Sequence, residues 1–227
     1  SSGSCVTPDT LVTLADGSKK EIQHVNYEDQ LLVWDFYKGE YAAVPASIIS
    51  NHGYANNKVI ALTFSDGTEV KAVNDHVFMD ATLNKMVLID DVNVQDYVGH
   101  SFVKANGDGY TTVELVEYKV TEEYIEAWGI LTAVHYNAMV EDMFSIAGSA
   151  EEMKAISYFE IGEGMKYDEQ QMQADIEKYG LYSYEEFADC LTEEQFEALG
   201  VKYMKVSVGK GLITRDYIME LINTYIK

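Results

Sequence analysis

One residue of this sequence stands out for its chemistry. Cys5 is one of two cysteines and lies near the start of the chain. A cysteine thiol can attack the carbonyl carbon of the residue before it, here Ser4, and convert the peptide bond into a thioester. The reaction is uphill and slow in water, so a protein must raise the thiolate fraction, polarise the amide and protonate the departing nitrogen. Histidine suits the last task because it titrates near neutrality.

The residues after Cys5 predict the element that positions it. Pro8-Asp9 is a turn signal, residues 10–14 alternate between the two faces of a strand, and Asp16-Gly17 signals a hairpin turn. A free cysteine is usually a small buried hydrophobic residue. Because Cys5 follows the Ser-Ser-Gly-Ser of residues 1–4, a leader or a remnant of cloning, we expect a nucleophile there rather than a deeply buried, inert thiol.

Short strand-like runs with turn signals between them continue to about residue 149 and predict a compact all-β domain. The predicted strands are residues 30–35, 46–50, 59–64, 69–73, 76–79 and 85–89, and the hairpin turns are residues 65–68 and 105–109. A weak internal repeat relates residues 25–31 to residues 92–98. The distance in sequence between these two stretches also separates Asp9 from His76. Two structural units related in this way would bring Cys5 and His76 together.

The hydrophobic period becomes helical after residue 149. Helical patterns or capping boxes occur at residues 150–161, 167–178, 183–186, 192–195 and 214–226. The sequence therefore predicts a mainly β protein, with a β domain over residues 5–149 and a small α-helical domain over residues 150–227. Cys190, in the helical part, fits a packed position better than a second reactive thiol.

Composition limits the possible partners and cofactors. Sixteen Lys and Arg against 38 Asp and Glu give a net charge of −22 at pH 7, which argues against nucleic acid as a partner. Apolar runs are only a few residues long, so no membrane span is predicted. A disulfide between Cys5 and Cys190 stays open, although it would consume the proposed nucleophile. The sequence has no Cys-x-x-Cys or His-rich ligand set, so neither a metal nor another cofactor is predicted.

A family resemblance rests on the first of these stretches. Cys5-Val-Thr-Pro-Asp-Thr-Leu-Val-Thr-Leu-Ala-Asp-Gly-Ser18 resembles the opening motif of the Hint family, which comprises inteins, bacterial intein-like domains and hedgehog autoprocessing domains. In that family the first cysteine attacks the peptide bond in front of it. The resemblance covers about residues 5–149 and implies a pseudo-twofold, all-β Hint fold. It also implies an N–S acyl shift at the Ser4–Cys5 bond.

A second stretch is similar to the second motif of the family. Val73-Asn74-Asp75-His76 follows a predicted strand, as that motif does, but the family usually has Thr-x-x-His. The resemblance makes His76 the proton donor and puts Val73 where a threonine helps to hold the scissile amide. Asn74 or Asp75 could take over the threonine's role. Taken without Cys5, His76 would be interpreted as a polar residue at a strand end.

The residues at the end of the predicted β domain differ between the branches of the family. Inteins end in His-Asn followed by Cys, Ser or Thr, whereas this chain has His135-Tyr-Asn137-Ala138, which offers no nucleophile after the asparagine. Full splicing is therefore not predicted, although cyclisation of Asn137 could release a C-terminal piece. Residues 129–147 resemble the closing segment of hedgehog domains, which pass the thioester to an external nucleophile. His52 lies near where such domains have an acid that activates the acceptor, or it is a loop histidine.

The resulting hypothesis is a self-cleaving domain without full protein splicing, acting once and without a cofactor. Its partners would be the upstream polypeptide in cis and an external nucleophile, which is water, a thiol or an alcohol. Such a domain would be soluble and could belong to a larger bacterial secreted or surface protein. Two alternatives stay open: a Hint fold that has lost catalysis and acts as a protein-interaction module, and intein-like C-terminal cleavage at Asn137.

Overall fold

A computed structural model of the chain describes the predicted β domain and a few pieces beyond it. The described residues are 5–36, 38–132, 135, 137–146, 161–162, 164–168, 170, 173–174, 177–178, 181–182 and 213–214. In the first 146 residues the strands are β1 (Cys5–Val6), β2 (Leu11–Thr13), β3 (Lys19–Glu21), β4 (Leu31–Asp35), β5 (Glu40–Val44), β6 (Ala46–Phe64), β7 (Glu69–Val73), β8 (Asp75–Asp80), β9 (Lys85–Asp90), β10 (Ser101–Asn106), β11 (Gly109–Thr132), β12 (Asn137–Val140) and β13 (Met143–Ile146). A 3-10 helix (Ile22–His24) and a one-turn helix α1 (Val94–Tyr97) lie between strands.

The described part of the chain is mainly β, as the sequence predicts. Four predicted strands and both predicted hairpin turns are present, with small differences at the ends, whereas the predicted strands at residues 46–50 and 59–64 are the two ends of one continuous strand, β6. In β7, Glu69 and Lys71 are exposed while Val70 and Ala72 are buried, so the alternation of side chains along the strand directs the apolar ones inward. Gly67 has φ +87° in the turn between β6 and β7, a conformation that glycine adopts without strain.

Two long strands form the frame of the domain. β6 and β11 have 19 and 24 residues and pair in antiparallel fashion from Ala46–Thr132 to Phe64–Leu115. The register shifts at three points along this pair, and such irregularities bend and twist a two-stranded ribbon. The sequence predicts only the two ends of β6, because Gly53 and the polar residues around it interrupt the strand pattern.

The sheet closes around the short strand β1. Its order is β1-β11-β6-β7-β8-β10-β13-β12-β2-β3, with β9 beside β8, and β1 also pairs with β7. Strands β4 and β5 form a separate two-stranded sheet. The main core contains the fully buried rings of Phe64, Phe78 and Phe102. Burial of each such side chain contributes about 2–3 kcal/mol relative to exposure.

The predicted helical domain lies largely outside the described residues, and its boundary at residue 149 stays a prediction. Two short strand pairs are described in this part: β14 (Ile161–Gly162) with β15 (Lys166–Tyr167), and β16 (Leu181–Tyr182) with β17 (Ile213–Thr214). Met165 is buried, and its carbonyl accepts a hydrogen bond of 2.9 Å from the indole of Trp34. The turn between β14 and β15 therefore packs against β4. Within the part of the chain that the structure describes, no helix is long and apolar enough to cross a membrane.

Candidate functional site

Cys5 lies inside the β domain, between the two strands that flank β1. It is paired with Val73 of β7, and the next residue, Val6, is paired with both Ala72 and Trp128. The Cys5 side chain is 4% exposed and packs with Val73 and Ala127 in a small apolar cluster. This burial differs from the expectation for a cysteine so close to a leader. The reason is that β1 has a strand on each side, which the sequence around Cys5 does not reveal.

The polar residues of the opening motif build the turn that follows β1. Thr7 is buried and its hydroxyl donates to Asp9 Oδ1 at 2.8 Å, while the hydroxyls of Thr7 and Thr10 are 2.9 Å apart. The backbone N–H of Thr10 donates to the carbonyl of Thr7 at 3.1 Å, and Thr7 N–H donates to Lys71 on β7. These bonds hold the chain immediately after Cys5 in one direction.

His76 is buried on β8 beside the backbone of Cys5. Its side chain is 1% exposed, and Nε2 lies 2.8 Å from Oγ of Ser145, which is equally buried. The other ring nitrogen, Nδ1, is buried and has no hydrogen-bond partner among the described residues. The Cys5 backbone is close enough to the ring to raise its pKa. The structure thus brings together Cys5 and His76, 71 residues apart in the chain.

Burial keeps both groups uncharged near neutral pH. It lowers the pKa of His76 to about 3, because the imidazolium loses its hydration, and the Cys5 backbone offsets only part of this. Burial also raises the pKa of the Cys5 thiol to about 12, and the negative charge of Asp75 adds to the effect. The site therefore holds a neutral thiol and a neutral imidazole. Ser4, which carries the carbonyl of the Ser4–Cys5 bond, lies outside the described residues.

The residues just before His76 have three different environments. Val73 is buried against Cys5 and has no polar atom in its side chain. Asn74 is exposed with φ +66°, and its amide bonds to Lys58 N and to Asn57 Oδ1, both at 3.0 Å. Asp75 is half-buried, and burial, followed by the charge of Asp90, raises the pKa of its carboxyl. Of these residues, Asp75 is the one whose charge raises the pKa of the Cys5 thiol.

Asn137 has a structural environment on β12. Its side-chain amide accepts from Trp34 N at 2.7 Å and donates to Trp34 O at 2.8 Å, so it continues the backbone pairing of β4. The same amide donates to the carbonyl of His135 at 2.9 Å, and the Asn137 carbonyl accepts from Thr132 Oγ1 at 2.6 Å. Cyclisation would need the amide nitrogen to leave these partners and attack its own carbonyl carbon.

The remaining candidate, His52, lies on β6 with an exposed side chain. Its neighbour Asn51 is paired with Trp128, the strand partner of Val6, so the register places His52 on the ribbon that flanks β1. No group of three or more His, Cys, Asp or Glu side chains within the described ranges is arranged to hold a metal ion.

Ser145 belongs to the site, although sequence reasoning did not assign it. It lies on β13 and is paired with Phe78 of β8, two residues beyond His76. Ser145 and His76 are 69 positions apart in the chain. A serine in a strand has no sequence pattern that would mark it as part of a site. Only the pairing of β13 with β8 identifies it.

The fold has clear relatives among solved structures. The Ssp DnaB mini-intein variant M86 is 14% identical, with a TM-score of 0.53, and the match covers 64% of this chain and 95% of that one. A DnaB intein from Synechocystis sp. PCC 6803 is 15% identical, with a TM-score of 0.53 and coverages of 64% and 99%. The PabCDC21-1 intein is 14% identical, with a TM-score of 0.53 and coverages of 63% and 98%.

No protein-family model and no curated protein matches the sequence. The likeness to intein structures therefore establishes the fold, and the sequence motif and the fold agree with one another. Nearly the whole length of each intein is matched by about two thirds of this chain. The chain contains a domain of the Hint, or intein-like, fold.

Proposed function

We propose that this chain is a self-cleaving domain that breaks the Ser4–Cys5 peptide bond through an N–S acyl shift. The observation that carries the proposal is the position of His76, a buried imidazole beside the Cys5 backbone with one ring nitrogen unpartnered among the described residues. A buried nitrogen without a partner costs free energy, so natural sites rarely keep one without a role. A nitrogen of a ring beside the backbone of the nucleophile is suited to proton transfer there.

The proposed reaction has the following steps. Cys5 Sγ attacks the carbonyl carbon of Ser4, and the thiol proton passes to Nδ1 of His76. The amide nitrogen of Cys5 leaves and takes this proton from His76, so that the C–N bond is replaced by a thioester and a free amine. An external nucleophile, which is water, a thiol or an alcohol, then attacks the thioester and releases the upstream polypeptide while Cys5 regains its thiol. The reaction needs no cofactor and occurs once.

Burial of the thiol and the imidazole determines when the proton is transferred in this reaction. With a thiol pKa of about 12 and an imidazole pKa of about 3, a separated thiolate–imidazolium pair is unfavourable in the folded protein. Proton transfer must therefore accompany the attack rather than precede it. General acid–base catalysis of this type contributes on the order of 10²–10⁴-fold. Val73 offers no hydroxyl to hold the scissile amide, so this site is expected to work more slowly than one with a threonine there.

A second function, that of a protein-interaction module, is favoured by a different observation. Tyr54 and Tyr124 lie on the ribbon of β6 and β11, 63% and 69% exposed, with their rings stacked at a centroid distance of 5.6 Å. Exposed aromatic pairs of this kind are common in binding surfaces. C-terminal cleavage at Asn137 is the less favoured alternative, because three hydrogen bonds to other residues engage its side-chain amide.

The test is a fusion that carries a folded reporter before Ser1, incubated with and without dithiothreitol or hydroxylamine. We expect thiol-dependent release of the reporter, with the thiol adduct on its new C-terminus in the intact mass. Cys5→Ala should abolish the release, and Cys190→Ala should leave it unchanged. Release that persists in Cys5→Ala would refute the proposal. A wild-type fusion that stays intact would favour the interaction module.

A further inference from the structure

A buried hydroxyl is attached to the histidine of the proposed cleavage site. Ser145 Oγ lies 2.8 Å from His76 Nε2, and each side chain is 1% exposed. The bond joins two adjacent strands, because Ser145 is paired with Phe78 of β8. Water cannot easily replace either partner at this depth, so the bond holds the imidazole in one orientation.

A serine hydroxyl can both donate and accept, so Ser145 can partner a protonated Nε2. For Nδ1 to accept the thiol proton, neutral His76 must carry its own proton on Nε2, and this N–H donates to Ser145 Oγ. When Nδ1 takes up the thiol proton, Nε2–H stays bonded to Ser145 Oγ, so the ring does not have to turn. An imidazole that carried its proton on Nδ1 would have no lone pair there to receive the proton from Cys5.

The orientation of the ring determines the environment of its second nitrogen, Nδ1. With Nε2 held by Ser145, Nδ1 is left as the nitrogen without a partner among the described residues, and the ring lies beside the Cys5 backbone. We propose that Ser145 is the positioning residue of the self-cleavage reaction, which partners Nε2 throughout so that Nδ1 exchanges the proton with the Ser4–Cys5 bond. This inference rests on the proposed function. Ser145 keeps its own proton, and the only proton moved is the one from Cys5 Sγ to the leaving nitrogen.

The first test compares two substitutions in the reporter fusion. Ser145→Ala removes the hydroxyl with almost no change of shape, and Ser145→Thr keeps the hydroxyl and suits a strand. We expect Ser145→Ala to slow thiol-dependent release by about tenfold or more and Ser145→Thr to restore most of the rate. In a His76→Gln background, Ser145→Ala should cause no further loss, because the partner it serves is absent. Release by Ser145→Ala at the wild-type rate would overturn the inference.

The second test does not depend on cleavage. The ring ¹⁵N chemical shifts of His76, measured by NMR in the full chain with Cys5→Ala, report which nitrogen is protonated. We expect a single tautomer with Ser145 and a changed tautomer population with Ser145→Ala, at unchanged backbone shifts elsewhere in the sheet. If Ser145→Ala does not fold, Ser145→Cys, a much weaker hydrogen-bonding partner, replaces it.

Together, the two tests distinguish the self-cleavage proposal from the positioning role of Ser145. An intact wild-type fusion with a His76 tautomer that depends on Ser145 would refute the self-cleavage proposal, and Ser145 would then orient the ring without serving that reaction. A fusion that cleaves, with identical His76 shifts in the presence and absence of the Ser145 hydroxyl, would overturn the positioning role alone.

Discussion

Cys5 and Val73 are direct partners across the antiparallel strands β1 and β7, and both side chains are buried in the same apolar cluster. The position where the Hint resemblance implies a threonine is therefore in contact with the thiol and carries only methyl groups. This arrangement stabilises the fold, because no buried hydroxyl needs a partner there. It also leaves this position without a side-chain hydrogen-bonding group for the bond that the proposed reaction would cleave.

Val73→Thr should increase the rate of thiol-dependent reporter release by about tenfold or more, since a preorganised hydrogen-bonding group acts on the reacting amide. It should also lower the free energy of unfolding by about 1–2 kcal/mol, because a hydroxyl replaces a buried methyl group. Release rates from intact mass and urea unfolding check the two effects. Val70→Thr, buried on the same strand, is the matched control and should lower stability without a gain in rate.

Asn137→Ala should destabilise the domain by about 2–4 kcal/mol, because Trp34 N and O would lose their partner in a buried position. Chemical denaturation measures this loss. The wild-type chain should yield no fragment that begins at Ala138. Detection of that fragment by mass spectrometry, and its disappearance in Asn137→Ala, would show that the asparagine cyclises after all.

The stability of the folded protein should fall as the pH is lowered from about 6.5 toward about 3. The pKa of His76 is about 3 in the folded protein against an unperturbed 6.5, so in this window the unfolded chain binds a proton that the folded one does not. Urea unfolding between pH 6.5 and pH 5, above most carboxyl pKa values, checks the prediction. The difference between wild type and His76→Gln isolates this residue, and equal slopes in the two proteins would contradict it.

Alkylation of Cys5 by iodoacetamide should be slow at neutral pH and rise steadily with pH. A thiol pKa of about 12 leaves little thiolate below pH 10, so the rate should increase about tenfold per pH unit from pH 8 to pH 10 without levelling. A Cys190→Ser background leaves Cys5 as the single thiol. A plateau just above pH 9 would indicate an unperturbed cysteine. The raised pKa also means that stability contributed by the protonated thiol is lost as the pH rises from about 9 toward about 12.

Local sequence was sufficient for the short elements and for the two principal residues. The turn after Cys5 follows from Thr7, Pro8 and Asp9, whose side-chain and backbone bonds close within a few residues. The strands at residues 69–73 and 85–90 follow from alternating apolar residues. Cys5 and His76 are predicted as the reacting residues because the stretches around them resemble the two motifs of the Hint family.

Only the tertiary structure shows how deeply the candidate site residues are buried and which residues they contact. The burial of Cys5, the hydrogen bond between His76 and Ser145, and the structural role of Asn137 each depend on strands that pair across 60 or more residues of chain. Such pairings are set by closure of the whole sheet and by burial of its apolar face, not by the preferences of neighbouring residues. The sequence therefore determined which residues carry reactive groups and which local turns surround them, whereas the closed sheet determined which groups meet and how far from water they lie.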